Sequence, residues 1–156
     1  TGESPEEALG AAQAAGIAEA DPSLDLEGTD SANKLVIICN SVLHYPATLE
    51  EVSVQGIGSV TAGLVQDAAE AGQVYRLVAT ATLSENGGYA LTVRPVRVQQ
   101  GSFFGGCVDS DMCVVFRSEE FEKISMKTDE KGVFPTAAAM LRDCCTVVRE
   151  TRRGNC

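Results

Sequence analysis

The chain has 156 residues, 44% of them hydrophobic, enough to pack one core, and a net charge of −10. Such a surface repels nucleic acid and anionic lipid, so neither is an expected partner. The longest apolar run, Leu35 to Cys39, is far short of the roughly 20 residues that span a bilayer, and no charged-then-apolar leader opens the chain. One domain over residues 1–156, cytoplasmic, is the expectation.

Ser4-Pro5-Glu6-Glu7 reads as a helix start, with Ser4 as cap and Glu7 as its capping-box partner. The alanine-rich helix that follows should stop at Gly16. A loop dense in carboxylates comes next, Ala18 to Asp30, with turns marked by Pro22 and Gly28. Carboxylates crowded beside a buried element repel one another unless a cation joins them. Lys34 is that cation, four residues after Asp30 and on the same face of a helix.

Asp30 is expected to cap that helix, which carries Ala32, Leu35, Val36, Cys39, Val42 and Leu43 at helical spacing. Ile37 and Ile38 widen the apolar face, so most of the helix should be buried until Pro46 ends it. On physics alone the Asp30–Lys34 pair also fits an ordinary surface pair, worth about 0.3–0.5 kcal/mol. A calcium loop does not fit: an EF-hand with Gly28 at its invariant glycine would end on Lys34, where a bidentate Glu is needed.

A short strand is expected from Glu51 to Val54. Gly56-Ile57-Gly58-Ser59-Val60-Thr61 then imitates a dinucleotide fingerprint, but Thr61 replaces its third glycine and no acid follows in the usual setting. The segment reads better as the start of a helix capped by Ser59 or Thr61 and stopped by Gly72. Val74 to Leu83 and Tyr89 to Val98 are strands around an Asn86-Gly87 hairpin. Pro95 sits where their alternation slips, which suggests a bulge or an edge. Gly101 to Gly106 reads as a flexible loop. Met112 to Arg117 and Glu122 to Met126 are two further strands. Pro135-Thr136 opens a last helix, with a charged, frayed tail from Arg149.

This order implies an α+β fold: an antiparallel or mixed sheet with helices packed on one face. The exposed sheet face needs a cover, and a symmetric dimer supplies one. The six cysteines include no C-x-x-C pair, and His44 is the only histidine. Buried, reduced thiols, rather than a disulfide or a metal site, are therefore expected.

Glu19-Ala20-Asp21-Pro22, followed by Asp25-Leu26-x-Gly28-x-Asp30-x-Ala32-x-Lys34-Leu35, resembles the signature of homoserine dehydrogenases. The family pattern reads roughly G-Y-A-E-A-D-P, then D-L-x-G-x-D-x-A-x-K, and Ile17 replaces its tyrosine. Gln55-Gly56-Ile57 is similar to the family's V-x-G-I segment, and Ser118-Glu119 to a strand end. Gly132, Pro135-Thr136-Ala137 and Asp143 are similar to its glycine-rich segment before a helix.

The resemblance implies the family's substrate-binding and dimerisation domain, without its nucleotide-binding domain. That family oxidises homoserine to aspartate semialdehyde, or the reverse, with NAD(P), in threonine and methionine biosynthesis. By resemblance Lys34 exchanges the hydroxyl proton, Asp30 orients Lys34, and Glu19 and Asp25 bind the substrate's amino and hydroxyl groups. Gly132 is the remnant of the loop that closes near the nicotinamide. The rest of that loop, Lys127 to Lys131, has gained acids and lysines, so NAD(P) is expected to bind mainly to the missing domain. A homodimer acting on an amino acid is implied. The alternatives are a non-catalytic paralogue that binds an amino acid or a partner subunit, and a purely structural dimerisation module.

Overall fold

The structure, a computed structural model, describes residues 5–14, 16, 18–108, 111–129 and 133–153. They fall into two compact units, Thr1–Gly106 and Cys107–Cys156.

The first unit opens with helix α1, Pro5–Ala14. Gly16 ends it, with a left-handed φ of 70° and its N–H donating to the Gln13 carbonyl. The expected cap, Ser4, lies outside the described residues. The carboxylate-rich stretch is not all loop: Ser23–Glu27 forms a one-turn helix, α2. Pro22 stands just before it and its carbonyl accepts from the Asp25 and Leu26 amides. A fixed proline φ is already suited to a helix start, so the proline read as a turn marker begins an element instead.

Gly28 is the corner between α2 and helix α3, Thr29–Ser41. It is buried with φ 85°, and a Cβ there would press the Val54 and Val93 methyls at 3.2 Å. Glycine is thus required both by conformation and by space. Because Gly28 holds the cap position, Asp30 does not cap α3 but sits in its first turn. Carboxylates are favoured there by the exposed amides of the helix end.

Ala32, Leu35 and Cys39 form the buried face of α3, with Val36 and Leu43 partly buried beside it. The face is narrower than expected: Ile37 and Val42 are 62% and 54% exposed. The helix also stops well before Pro46. His44 takes a left-handed φ of 52°, the Tyr45 amide bonds back to the Cys39 carbonyl, and the Asn40 side-chain amide donates to the carbonyls of Val36 and Ala47. The helix end is satisfied before the proline is reached.

The sheet of this unit is mixed, with β1 (Val52–Val54), β2 (Gln73–Leu83) and β3 (Tyr89–Gln99) in the order β1–β3–β2. β1 runs parallel to β3, and β2 and β3 form the antiparallel hairpin. Leu91 and Val93 of central β3 join Val52 and the α3 face in one core with Ala47. Tyr45 meets Tyr89 edge-to-face at 5.3 Å beside it.

Helix α4, Ala62–Glu70, is capped by Thr61, whose hydroxyl accepts from the Leu64 amide, and stops before Gly72 at φ 66°. Its Asp67 carbonyl accepts from Arg97, a residue of the same strand face as Leu91 and Val93. Both α3 and α4 therefore cover one face of the sheet, as expected.

No bulge occurs at Pro95. The β2–β3 register is continuous from Gln73↔Gln99 to Leu83↔Tyr89, with Leu77 opposite Pro95. The Val93 carbonyl points towards β1, where it accepts from Gln55. Strand alternation puts the Pro95 nitrogen on that same side, beyond the end of β1. The proline thus occupies a locally unpaired edge and removes no ladder bond.

In the second unit, β4 (Asp111–Phe116) pairs antiparallel with β5 (Ile124–Asp129). The register places Met112, Val114, Phe116, Ile124 and Met126 on one face. Lys127 forms an ion pair with Asp111 on the other. Lys127 to Asp129 are strand residues, so the region compared with the family's glycine-rich loop is in part regular structure. Cys107 and Cys113 form a disulfide, Cα atoms 6.6 Å apart, which corrects the expectation of reduced thiols for that pair. Cysteines six residues apart can meet when the intervening chain turns, a conformation that spacing rules for C-x-x-C do not detect. Helix α5, Phe134–Arg153, continues past the expected fraying point at Arg149.

Candidate active site

The site is built on the joint between α2 and α3. α3 is fixed by its buried Ala32, Leu35 and Cys39, and its first two turns project Asp30 and Lys34 from the opposite side. Lys34 Nζ lies 2.7 Å from Asp30 Oδ2, and the two side chains are 60% and 41% exposed. An ammonium held this close to a carboxylate is oriented without being sealed off, so a substrate can reach both.

Asp25 is exposed on α2, and its carbonyl accepts from the Gly28 amide to close the corner. Glu19 is exposed in the segment before α2; its carbonyl accepts from the Gln13 side-chain amide of α1 at 2.9 Å. The structure thus pairs Lys34 with Asp30 and places Asp25 on the adjoining helix, while Glu19 is tied to α1 through its backbone. Gly132 lies outside the described residues.

Asp21, which the sequence marks for no role of its own, anchors the start of α2. Its carboxylate accepts from the Ser23 amide at 3.1 Å. The bond to the Ser23 side chain, then that to its backbone, holds the Asp21 carboxyl below its ordinary range.

A second feature invisible in the sequence is the approach of Gly56 to α2. An open hollow of about 430 Å³ lies here, lined by Leu26, Glu27, Gln55, Gly56, Gly58 and Ser59. A Cβ on Gly56 would stand 2.4 Å from the Leu26 carbonyl oxygen. The two residues are thirty positions apart, so no local pattern announces the contact.

That packing decides how the Gly56–Thr61 segment suits a dinucleotide. A pyrophosphate cradle needs strand, glycine turn and helix in direct succession, with glycines that let phosphate approach the backbone. Here a 3-10 turn, Ile57–Ser59, intervenes before α4, and the space a Gly56 Cβ would take is filled by α2 itself. The segment does not fit the phosphates. Among the described residues no group of three or more His, Cys, Asp or Glu side chains is placed to hold a metal, and no helix is long and apolar enough to cross a membrane.

Residues 1–145 match the family model described as homoserine dehydrogenase. The chain is 29% identical over 147 residues to an NAD(+)-dependent homoserine dehydrogenase of Pseudomonas canavaninivorans, covering 94% of this chain and 42% of that protein. It is 30% identical over 155 residues to the homoserine dehydrogenase of Methanocaldococcus jannaschii, covering 95% and 42%. Among solved structures, the homoserine dehydrogenase of Thiobacillus denitrificans superposes with a TM-score of 0.85 at 29% identity, covering 98% of this chain and 35% of that one. The S. aureus homoserine dehydrogenase at pH 7.5 gives 0.82 at 27% identity, covering 94% and 36%. The chain spans about a third to two fifths of the length of the curated relatives it matches.

Proposed function

The chain belongs to the homoserine dehydrogenase family, and on that premise we propose that residues 1–156 act as one substrate-binding and catalytic domain. The reaction is L-homoserine with NAD(P)+ to L-aspartate 4-semialdehyde with NAD(P)H, or its reverse. The single observation that carries the reading is the solvent-open contact of Lys34 with Asp30 near the start of α3.

Oxidising an alcohol requires its hydroxyl to lose a proton as the carbon loses hydride. Lys34 Nζ, deprotonated, accepts that proton; in the reverse direction the ammonium returns it. Asp30 holds the amine in place through both states. Asp25 and Glu19 bind the substrate's ammonium and hydroxyl groups, since a carboxylate pair suits a cationic donor through charge-assisted hydrogen bonds. NAD(P) is held mainly by parts of the protein outside this chain, with Gly132 its one contact here. The protein works as a cytoplasmic homodimer, joined through the sheet, in threonine and methionine biosynthesis.

The test is turnover of homoserine, followed through NADPH and NADH absorbance, by the complete protein and by this chain supplied with a nucleotide-binding domain. Turnover that disappears in Lys34→Ala supports the reading. Homoserine binding with no turnover under either condition rejects it in favour of a non-catalytic amino-acid binder.

A further inference from the structure

The geometry points to Gly56, acting across the Gly28 hinge, as the positioning residue that sets where Asp25 stands relative to Asp30 and Lys34. The inference rests on the substrate-binding role proposed for Asp25 and adds a residue to that site which touches no substrate.

The argument is one of space. Gly56 has φ −71° and ψ 176°, a conformation open to any residue, so its backbone does not call for glycine. Its surroundings do. A Cβ would lie 2.4 Å from the Leu26 carbonyl oxygen, 2.8 Å from Glu27 Cα and 3.0 Å from the Glu27 carbonyl carbon. All three are backbone atoms, so no rotamer change relieves the clash, and the chain itself must move.

What moves follows from how each element is held. α3 is anchored by three buried side chains, whereas α2 is a single turn with none. Gly28, left-handed at φ 85°, joins the two and absorbs rotation between them. A displacement at Gly56 is therefore taken up by α2. Asp25 shifts with it, while Asp30 and Lys34 stay. A site held to about 0.5 Å loses function on such a shift.

The test uses the complete protein and four variants: Gly56→Ala, Asp25→Asn, the double variant, and Gly63→Ala as a control. Gly63 lies on α4, where an added Cβ meets nothing nearer than the Thr61 hydroxyl at 3.9 Å. We expect Gly56→Ala to raise KM for homoserine at least about tenfold while kcat falls less, with Gly63→Ala unchanged. In the Asp25→Asn background Gly56→Ala should add little, because both act on one contact. If Asp25→Asn raises KM but Gly56→Ala does not, or the two effects add in full, the positioning role is overturned and the Asp25 assignment stands. If Asp25→Asn leaves KM unchanged, the Asp25 assignment falls and the inference with it. Should Gly56→Ala fail to accumulate, Asp21→Asn replaces it in the cycle. It weakens the Ser23 amide bond that fixes the start of α2, at an exposed residue outside the core. The same coupling is expected, and full additivity overturns the proposal.

Discussion

Lys34 Nζ and Asp30 Oδ2 stand 2.7 Å apart across one turn of α3, on the side of the helix facing away from its core contacts. As a structural device the pair is weak: an exposed i,i+4 ion pair contributes about 0.3–0.5 kcal/mol. In the proposed chemistry it would weigh far more, because general acid–base catalysis supplies roughly 10²- to 10⁴-fold. The two roles separate experimentally. In the complete protein, Lys34→Ala should lower turnover by about that factor yet shift the melting temperature by no more than about 2 °C. Lys34→Arg keeps a cation for Asp30 but cannot give up its proton, and should be as inactive. Near-normal turnover in a folded Lys34→Ala protein would remove Lys34 from the mechanism.

Asp21 governs α2 through Ser23, and the sign of its pH dependence follows. Its folded carboxyl sits below the ordinary value of 3.8 because the charged form is hydrogen-bonded. The unfolded state therefore binds the proton more readily, so the stabilisation is complete above about pH 4 and disappears as pH falls through the folded value. Acid titration followed by NMR should show the Ser23 amide shifting with the Asp21 carboxyl. In Asp21→Asn that acid shift should be lost. An unchanged Ser23 titration in the variant would show that another group controls this turn.

Much of this architecture was legible in the sequence because it is locally encoded. The helix starting near Asp30, the Thr61 cap and the Asn86-Gly87 hairpin each rest on residues within a few positions of one another. Distant contacts decide the rest. The α2 sequence looks like loop because Pro22 and Gly28 resemble punctuation, whereas Gly28 is a buried corner against Val54 and Val93. Ile37 looked buried by composition, but the sheet reaches only the Ala32–Leu35–Cys39 side. Pro95 reads as a bulge or an edge, and only the short reach of β1, which the sequence does not show, decides for the edge. For the site, the Asp30–Lys34 spacing was legible and the Gly56–Leu26 contact was not.

The cysteines divide by environment. Cys39 is fully buried in the α3 core, and burial raises its thiol above the ordinary pKa. Cys144 and Cys145 are exposed on α5. Iodoacetamide at pH 8 followed by peptide mass spectrometry should label Cys144 and Cys145 in the native chain and spare Cys39 until denaturant is added. Native labelling of Cys39 at the rate of the other two would mean that the core opens readily.

The outer face of the β2–β3 hairpin is the surface on which the proposed dimer forms. It carries exposed Thr80, Thr82, Ala90 and Arg94, and half-buried Val78, Val96 and Val98. Sedimentation at micromolar concentration should give a dimer, and Thr80→Lys should shift it towards monomer. Like charges would then meet across a two-fold interface. The fold itself should change by no more than about 0.5 kcal/mol, as for other surface substitutions. A clean monomer for the unsubstituted chain would remove the dimer from the proposal.

The last prediction concerns the cofactor. Phosphate binding at a helix start depends on amides left open to the ligand and on glycines that let it come close. At the start of α4, one amide is already taken by Thr61, and the first glycine of the turn, Gly56, packs against α2. Gly58 faces open space, with nothing within 4 Å of an added Cβ, so it shapes no contact within the fold. A net charge of −10 further opposes an anionic ligand, though salt screens that part. Calorimetric titration of this chain with NADH and NADPH should therefore show no binding in the low micromolar range. Gly58→Ala in the complete protein should leave the dinucleotide dissociation constant unchanged, whereas a pyrophosphate site at this turn would lose most of its affinity. A low micromolar constant for either cofactor on the chain alone, abolished by Gly58→Ala, would establish that the Gly56–Thr61 turn opens to receive the phosphates.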